Sequence, residues 1–415
     1  MTHETDVLVI GGGATGVGVA RDLAMRGVTV TVADRGGLSS GTTGRSHGLL
    51  HSGARYAEAD EVGARECIAE NRILRRIAGR CIGDTGGLFV QLSSDDPDYF
   101  DEKLAACREY GIPAEEIPGE EARERVPGLA SEVERAMVVP DGVVYPSRLV
   151  AANAVDVEER GGTVLTHAPV ESIAVDDGRI TSVRLGGDAA IDVDAEYVVN
   201  ATGAWAGKVG AMAGVDVEMR PTRGVMVAVD YDGLGPVLNR CRDPADGDIV
   251  VPHDEQVVLG TTSVVVDDPD DYPTEEAEVA KTFAECSAML PAVADLEPRR
   301  TWWGVRPLYA PDEDARRSHS GGTGEARGIS RGFFVLDHDA EGVENFASVV
   351  GGKLTSYRLM AEKTADLVAD RLGREEPCRS ADEPLPEADD AAELDRFVAR
   401  YDARSPTDED VVVGE

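Results

Sequence analysis

At 415 residues, with 78 acidic against 41 basic residues and a formal net charge of −37, the chain can hold two domains or one large elaborated one. It is too acidic for nucleic acid to be an expected partner. No apolar run approaches the roughly 18–20 residues that span a bilayer, and the opening MTHETD carries neither a basic region nor an apolar signal segment. Six scattered cysteines without a C-x-x-C pair argue for reduced thiols and against a disulfide framework, and no metal ligands are expected. Only five basic residues are lysines, and acidic clusters such as Asp267–Asp271 and Asp312–Asp314 punctuate the loops. This resembles the surface of proteins from very salty cytoplasm, where screening removes self-repulsion.

The chain opens on its most informative stretch. Val7–Ile10 is an apolar run of the kind a buried parallel strand shows. Gly11, Gly13 and Gly16 follow in G-x-G-x-x-G spacing, with Ala14 and Thr15 between the last two. The first glycine permits a tight turn, the second lets backbone approach a pyrophosphate, and the third lets helix pack on strand. A helix over Thr15–Arg26 points its N-terminus at the phosphates, and Gly27 stops it. A second strand runs over Val28–Ala33, and Asp34 follows in register to accept hydrogen bonds from a ribose diol. The pattern predicts a dinucleotide site and leaves the choice between NAD and FAD open.

Residues 36–57, GGLSSGTTGRSHGLLHSGARYA, are small and polar but hold apolar Leu49, Leu50 and Tyr56. Such a loop can lie against a flat ligand. Residues 60–77 have helical apolar spacing. A strand at 87–92, helices at 98–110 and 120–125, and a strand at 136–139 follow. Ser147 is a candidate N-cap for a helix to about Arg160. Asp176-Asp177-Gly178 joins a hairpin. Tyr197–Asn200 is a strand ending in Ala201-Thr202-Gly203, small residues at the carboxyl edge of a parallel sheet, where ligands bind. Residues 215–310 turn β-rich around one helix near 274–290, which reads as an antiparallel sheet inserted as a second domain. Residues 312–328 read as a loop. Strands at 329–336 and 344–350 lead into a glycine turn and a helix to about 372. From Gly373 the chain is acidic and proline-bearing, with one short helix near 391–401, and reads as a linker or tail.

Five blocks then occur in order: GGGATGVGVARDLAMRG, GTTGRSHGLLHSGARYA, YVVNATGAWA, WWGVRPLYAP and VVGGKLTSYRLMAEKTAD. Over about residues 5–372 the chain resembles FAD-dependent glycerol-3-phosphate dehydrogenases. The second block is most similar to the catalytic A subunit of the anaerobic type, and the acidic composition suits a halophilic archaeon. The resemblance implies an α/β fold: a glutathione-reductase-like FAD-binding fold, a ββα-sandwich with a central parallel sheet, plus an α+β substrate domain with an antiparallel sheet. The FAD-binding domain would comprise 1–80, 141–214 and 329–373, and the substrate-binding cap 81–140 and 215–328, with 374–415 as tail. FAD, not NAD, would be the cofactor, held by Gly11, Gly13, Ala14, Thr15, Gly16, Asp34, Arg35, Thr42, Thr43, Arg45, Ser46, His47, Gly48, Leu49, Ala201, Thr202, Gly203, Gly352, Lys353, Leu354 and Thr355.

The implied reaction oxidises sn-glycerol 3-phosphate to dihydroxyacetone phosphate, with hydride passing from C2 to flavin N5. Electrons would then leave to a quinone or to partner subunits. A phosphate dianion needs fixed positive charge, which arginine supplies through bidentate bonds. Arg55, Tyr56, Arg306, Arg331 and Lys353 match the family's substrate-binding residues, and Arg306 and Lys353 with His51 form the expected catalytic set. The C2 hydroxyl proton needs a base. Bacterial aerobic relatives place a histidine just after the glycine matching Gly224, where this chain has Val225 and Met226. His51 takes that place in this reading, and His253 is the weaker candidate. Relatives of the anaerobic type often continue into a cysteine-rich iron–sulfur module; only Cys378 follows Cys286 here. The expected partners are membrane-anchoring and iron–sulfur subunits. The expected place is the cytoplasm, peripheral on the inner face of the membrane. The competing readings are another FAD-dependent amino-acid or 2-hydroxyacid oxidoreductase, or a flavin-binding subunit inactive alone.

Overall fold

A computed structural model describes residues 2–309 and 332–412. Its centre is the strand Thr2–Ile10. Val7, Leu8 and Val9 are wholly buried, as a strand covered on both faces requires. Val30–Ala33 pairs parallel with it on one edge and Asp192–Asn200 on the other. Thr163–Leu165 extends the first edge and Phe346–Gly351 the second, both parallel. Phe333–Asp337 then adds antiparallel. The hairpin Val170–Asp176 with Arg179–Leu185 leans on the start of Asp192–Asn200.

Helices Ala14–Met25 and Tyr357–Arg371 pack together on this sheet. Val19, Ala20 and Leu23 of the first meet Ala361, Ala365 and Val368 of the second. A third helix, Pro146–Glu159, is buried almost throughout. Its first turn starts one residue before Ser147, because Pro146 suits that position with its fixed φ and missing N–H. Ser147 is therefore not the N-cap; its hydroxyl donates to Asp408 at 2.6 Å.

The second sheet has nine strands among the described residues. Thr222–Asp230 pairs antiparallel with Arg300–Arg306 on one edge and with Gln256–Gly260 on the other. The sheet continues through Ile249–His253 and Val237–Arg240 to Gly87–Leu92, Val133–Val139 and Glu115–Pro118. Among these strands Val237–Arg240 with Gly87–Leu92 is the one parallel pair; the others run antiparallel. Alternate residues Val225, Val227 and Val229 face a core shared with Cys286 and Met289, at and just beyond the end of helix Glu276–Ser287. A small three-stranded sheet ties Leu49–Leu50 to Gly142–Val144 and Ile82–Gly83.

The segment after Gly373 is not a linker. Asp390 caps the helix Ala391–Arg400, accepting from Ala392 N and Glu393 N at 3.0 and 3.1 Å. Leu394, Val398 and Tyr401, at helical spacing, enter the core formed by Leu149, Ala152 and Leu74. The reason is local: the acidic composition masks a short apolar stripe, Leu394, Phe397, Val398 and Tyr401. The buried pair Arg148–Asp395 (2.6 Å) fastens this helix to Pro146–Glu159. Beyond it, Leu38 N donates to Tyr401 O at 3.2 Å. The Thr407 hydroxyl reaches Gly44 O and Ser46 O at 2.8 and 2.6 Å. These residues brace the 36–47 loop from behind.

Candidate active site

The strand Thr2–Ile10 ends at a cavity of about 370 Å³ whose wall draws on both large sheets. Gly11 turns the chain there with φ +110°, and a Cβ on it would lie 2.5 Å from Ala201 O. The neighbouring strand end and the turn therefore share space that only glycine leaves. Gly13, Ala14 and Thr15 line the cavity at the start of Ala14–Met25, whose first-turn N–H groups have no intrahelical acceptor. Ala14 N is taken by Thr43 Oγ1 at 3.1 Å. Gly16 stands behind the wall against Gly11.

Asp34 lines the same cavity and accepts from Gly12 N at 2.6 Å and Gly36 N at 2.8 Å. Burial pushes its carboxyl pKa up, and the two amide bonds oppose this. Arg35 lines the wall beside it, as do Thr42, Thr43, Ser46, His47 and Leu49 from the small-residue loop. Arg45 does not; it is exposed and donates to Ser40 O and Trp303 O. Gly48 lies against the His253 ring, outside the wall. Ala201, Thr202 and Gly203 line it, and so do Gly352, Lys353 and Leu354. Thr355 sits one layer back, accepting from His51 N at 3.0 Å.

The candidate chemical groups converge on this wall. His51 and Tyr56 line it, with Nε2 and the phenol oxygen 3.3 Å apart. The Lys353 ammonium lies 4.5 Å from the Tyr56 ring centroid and 4.0 Å from Asp60. Arg306 lines it from the second sheet, donating to Thr262 O at 2.9 Å and Thr261 Oγ1 at 3.2 Å. Arg55 is not on the wall. Its guanidinium pairs with buried Asp248 at 2.8 Å, since an interior arginine in so acidic a chain finds a carboxylate. Arg331 lies outside the described residues.

His253 is excluded as the base. It is 3 % exposed, does not line the cavity, and holds His47 O through Nε2 at 3.1 Å. Burial drives its pKa down to about 4, and protonation would bury an N–H at Nδ1, which has no hydrogen-bond partner among the described residues. The folded-state value lies below the ordinary one near 6.5, so this stabilisation is present above about pH 6.5 and is lost as pH falls toward 4. His253→Gln should therefore flatten the loss of urea-unfolding free energy between pH 6.5 and 4 by up to about 1.4 kcal/mol per pH unit. Equal slopes for variant and parent would refute this.

Several residues on or behind the wall are not legible from motifs. Lys208 and Met212 are on it, in the helix that follows the ATG motif, and carry no motif of their own; Trp205, also on it, lies inside the block YVVNATGAWA without a role legible there. Asp60, near Lys353, could be found as the N-cap of Glu61–Ile77, where it accepts from Gly63 N at 2.8 Å.

The wall fits FAD. Side-chain-free backbone at Gly11 and Gly13, an open helix N-terminus and a carboxylate in register suit a pyrophosphate and a ribose. The small residues 201–203 and 351–352 leave space for a flat ring. The profile of the DAO family, "FAD dependent oxidoreductase", matches residues 6–367. The A1 subunit of the Haloferax volcanii anaerobic glycerol-3-phosphate dehydrogenase is 48 % identical over 419 aligned residues, covering 98 % of this chain and 70 % of that protein. Its Escherichia coli counterpart, from the anaerobic glycerol-3-phosphate dehydrogenase of that organism, is 40 % identical, covering 95 % of this chain and 72 % of its own. Among solved structures, the glycerol-3-phosphate dehydrogenase of Bacillus halodurans complexed with FAD superposes with a TM-score of 0.68 at 23 % identity, covering 92 % of this chain and 68 % of that one. The chain therefore belongs to the DAO family of FAD-dependent oxidoreductases, and FAD is its cofactor.

Proposed function

We propose that the chain oxidises sn-glycerol 3-phosphate to dihydroxyacetone phosphate as the flavin-bearing component of a larger assembly. The observation that carries this reading is the meeting of Arg306 and Lys353 on the wall that also holds the FAD motifs. Two fixed cations beside a redox cofactor suit a substrate that carries a phosphate dianion. The named relatives support the same choice.

Arg306, held from behind by Thr261 and Thr262, takes the phosphate. Lys353, set against Tyr56 and Asp60, orients the reacting end. His51 takes the C2 hydroxyl proton by way of Tyr56: the phenol oxygen accepts it and passes its own proton to Nε2. FAD supplies, when bound, a two-electron acceptor for the C2 hydride. Residues 1–80, 141–214 and 329–373 carry the cofactor and, through His51, Tyr56 and Lys353, the reacting end of the substrate, while 81–140 and 215–328 form the cap that supplies Arg306 to the phosphate.

The electrons pass to partner subunits and on to quinone at the inner face of the membrane; the subunit designation of the relatives supports a multi-subunit assembly. No helix among the described residues is long and apolar enough to cross a membrane. The acidic surface and the Haloferax relative support a halophilic source.

The test is flavin reduction followed by dye-coupled turnover. Glycerol 3-phosphate should bleach the flavin, whereas 2-hydroxyglutarate and D-amino acids should not. Bleaching by one of those alone would move the chain to another substrate class. Bound flavin that no substrate reduces would mean that the chain is inactive without its partners.

A further inference from the structure

The structure assigns a cofactor-retaining role to Asp270, a residue of the β-rich part of the chain outside every glycine motif. Three cavity-wall residues converge on its carboxylate, each from a different element of the parallel-sheet part. Arg35, just after the strand Val30–Ala33, donates to Oδ1 at 3.0 Å. Trp205, closing the turn Gly203–Trp205, donates its indole N–H to the same oxygen at 2.8 Å. Lys208, in the helix Ala206–Met212, donates to Oδ2 at 2.7 Å. The Arg35 guanidinium also lies over the Trp205 ring, 4.3 Å from its centroid. Asp268 completes the group. It accepts from Lys208 at 2.7 Å and from the Asp270 amide at 2.8 Å, which fixes the carboxylate's own position.

The four acids of this loop are not equivalent. Asp267 and Asp271 form no ion pair among the described residues, although they carry the same charge within one residue of Asp268 and Asp270. A diffuse acidic patch would use all four alike; a built contact selects two. Burial opposes ionisation of Asp270, but the bonds from Lys208, Arg35 and Trp205 outweigh it and hold the carboxyl down at about 2. The contact is therefore ionic at every physiological pH.

The consequence falls on ligand escape. Arg35, Trp205 and Lys208 form wall next to Asp34 and to Ala168–Val170; Ala168 N donates to Asp34 O at 2.7 Å, which joins these stretches. Arginine and lysine side chains regain many rotamers once unpaired, and the tryptophan loses the anchor of its indole N–H. Asp270 thus holds the cavity closed beside Asp34 from across the two parts of the chain. Its loss should act on the rate of FAD release and leave association nearly unchanged. The inference does not depend on which substrate is oxidised.

The experiment measures FAD release from diluted holoprotein by the rise of free-flavin fluorescence. Asp270→Ala should release FAD about five- to tenfold faster, as expected for a network of partly exposed contacts. Asp267→Ala, which removes the same charge, should release it at the parental rate. Trp205→Phe should accelerate release in the parent but add little in the Asp270→Ala background, because the two share one contact. Parental release by Asp270→Ala, equal acceleration by Asp267→Ala, or full additivity with Trp205→Phe would each overturn the assignment.

Discussion

Gly16→Ala is expected to yield a protein with less than about one-tenth of the parental flavin and a stability lower by about 3 kcal/mol. A Cβ at this position would sit 1.8 Å from Gly11 O, with Ala201 Cβ at 3.4 Å. The obstacle is backbone, so no rotamer change relieves it. The helix Ala14–Met25 must either lift from the strand end or push Gly11 out of its turn. Both movements displace the N–H groups that would hold the pyrophosphate. Gly235→Ala is the matched control, since a Cβ there meets nothing within 4 Å, and it should retain flavin and stability. The ratio of flavin to protein absorbance and the urea midpoint decide the matter. Parental values for Gly16→Ala would show that the strand–helix contact gives way without cost.

The second large effect concerns substrate. Arg306→Ala should lower kcat/KM for glycerol 3-phosphate by about 10² to 10⁴. That range follows from losing two charge-assisted bonds of about 1.5–3 kcal/mol each. Most of it should appear in KM, because a phosphate remote from C2 is held alike in ground and transition states. Arg306→Lys should restore the charge without the fork and recover part of the loss. Thr261 and Thr262 fix the guanidinium from behind, so the alanine variant leaves polar backbone facing the cavity and the fold should survive. An unchanged KM would remove Arg306 from the phosphate site.

Much of this architecture is legible in the sequence because it rests on short-range patterns. Val7–Ile10, the glycines 11, 13 and 16, and Asp34 are consecutive parts of one local unit; Ile10, Gly11, Gly13 and Asp34 meet at one wall, and Gly16 packs behind it. The continuous apolar run Val225–Val229 similarly announces a strand buried on both faces, with Val225, Val227 and Val229 in one core and Met226 and Ala228 in another. What escapes a reading of the sequence depends on long-range partners. Asp248, which takes up Arg55, is 193 positions from it, and no local pattern links the two. Ser147 has the chemistry of a cap, but Pro146 precedes it and Asp408 claims its hydroxyl. His253 stands in a strand whose face cannot be told from its sequence, and the fold buries it against His47. The helix 391–400 is visible in the sequence; its destination is not, because a short apolar face set among charged residues in an acidic segment reads as a solvated element.

The bracing of the 36–47 loop by residues 401–408 has a consequence for how the protein is made. The loop leaves the ribosome early, with the glycine turn, but its supports at Tyr401 and Thr407 are translated roughly 360 codons later. At about 5–20 residues per second, the nascent chain exists for tens of seconds with its first strand and helix synthesised and this side of the cavity unsupported. Productive FAD capture thus waits until residues 401–407 have been made and have reached the loop. Until then, premature arrest anywhere before residue 401 leaves an apoprotein lacking that support.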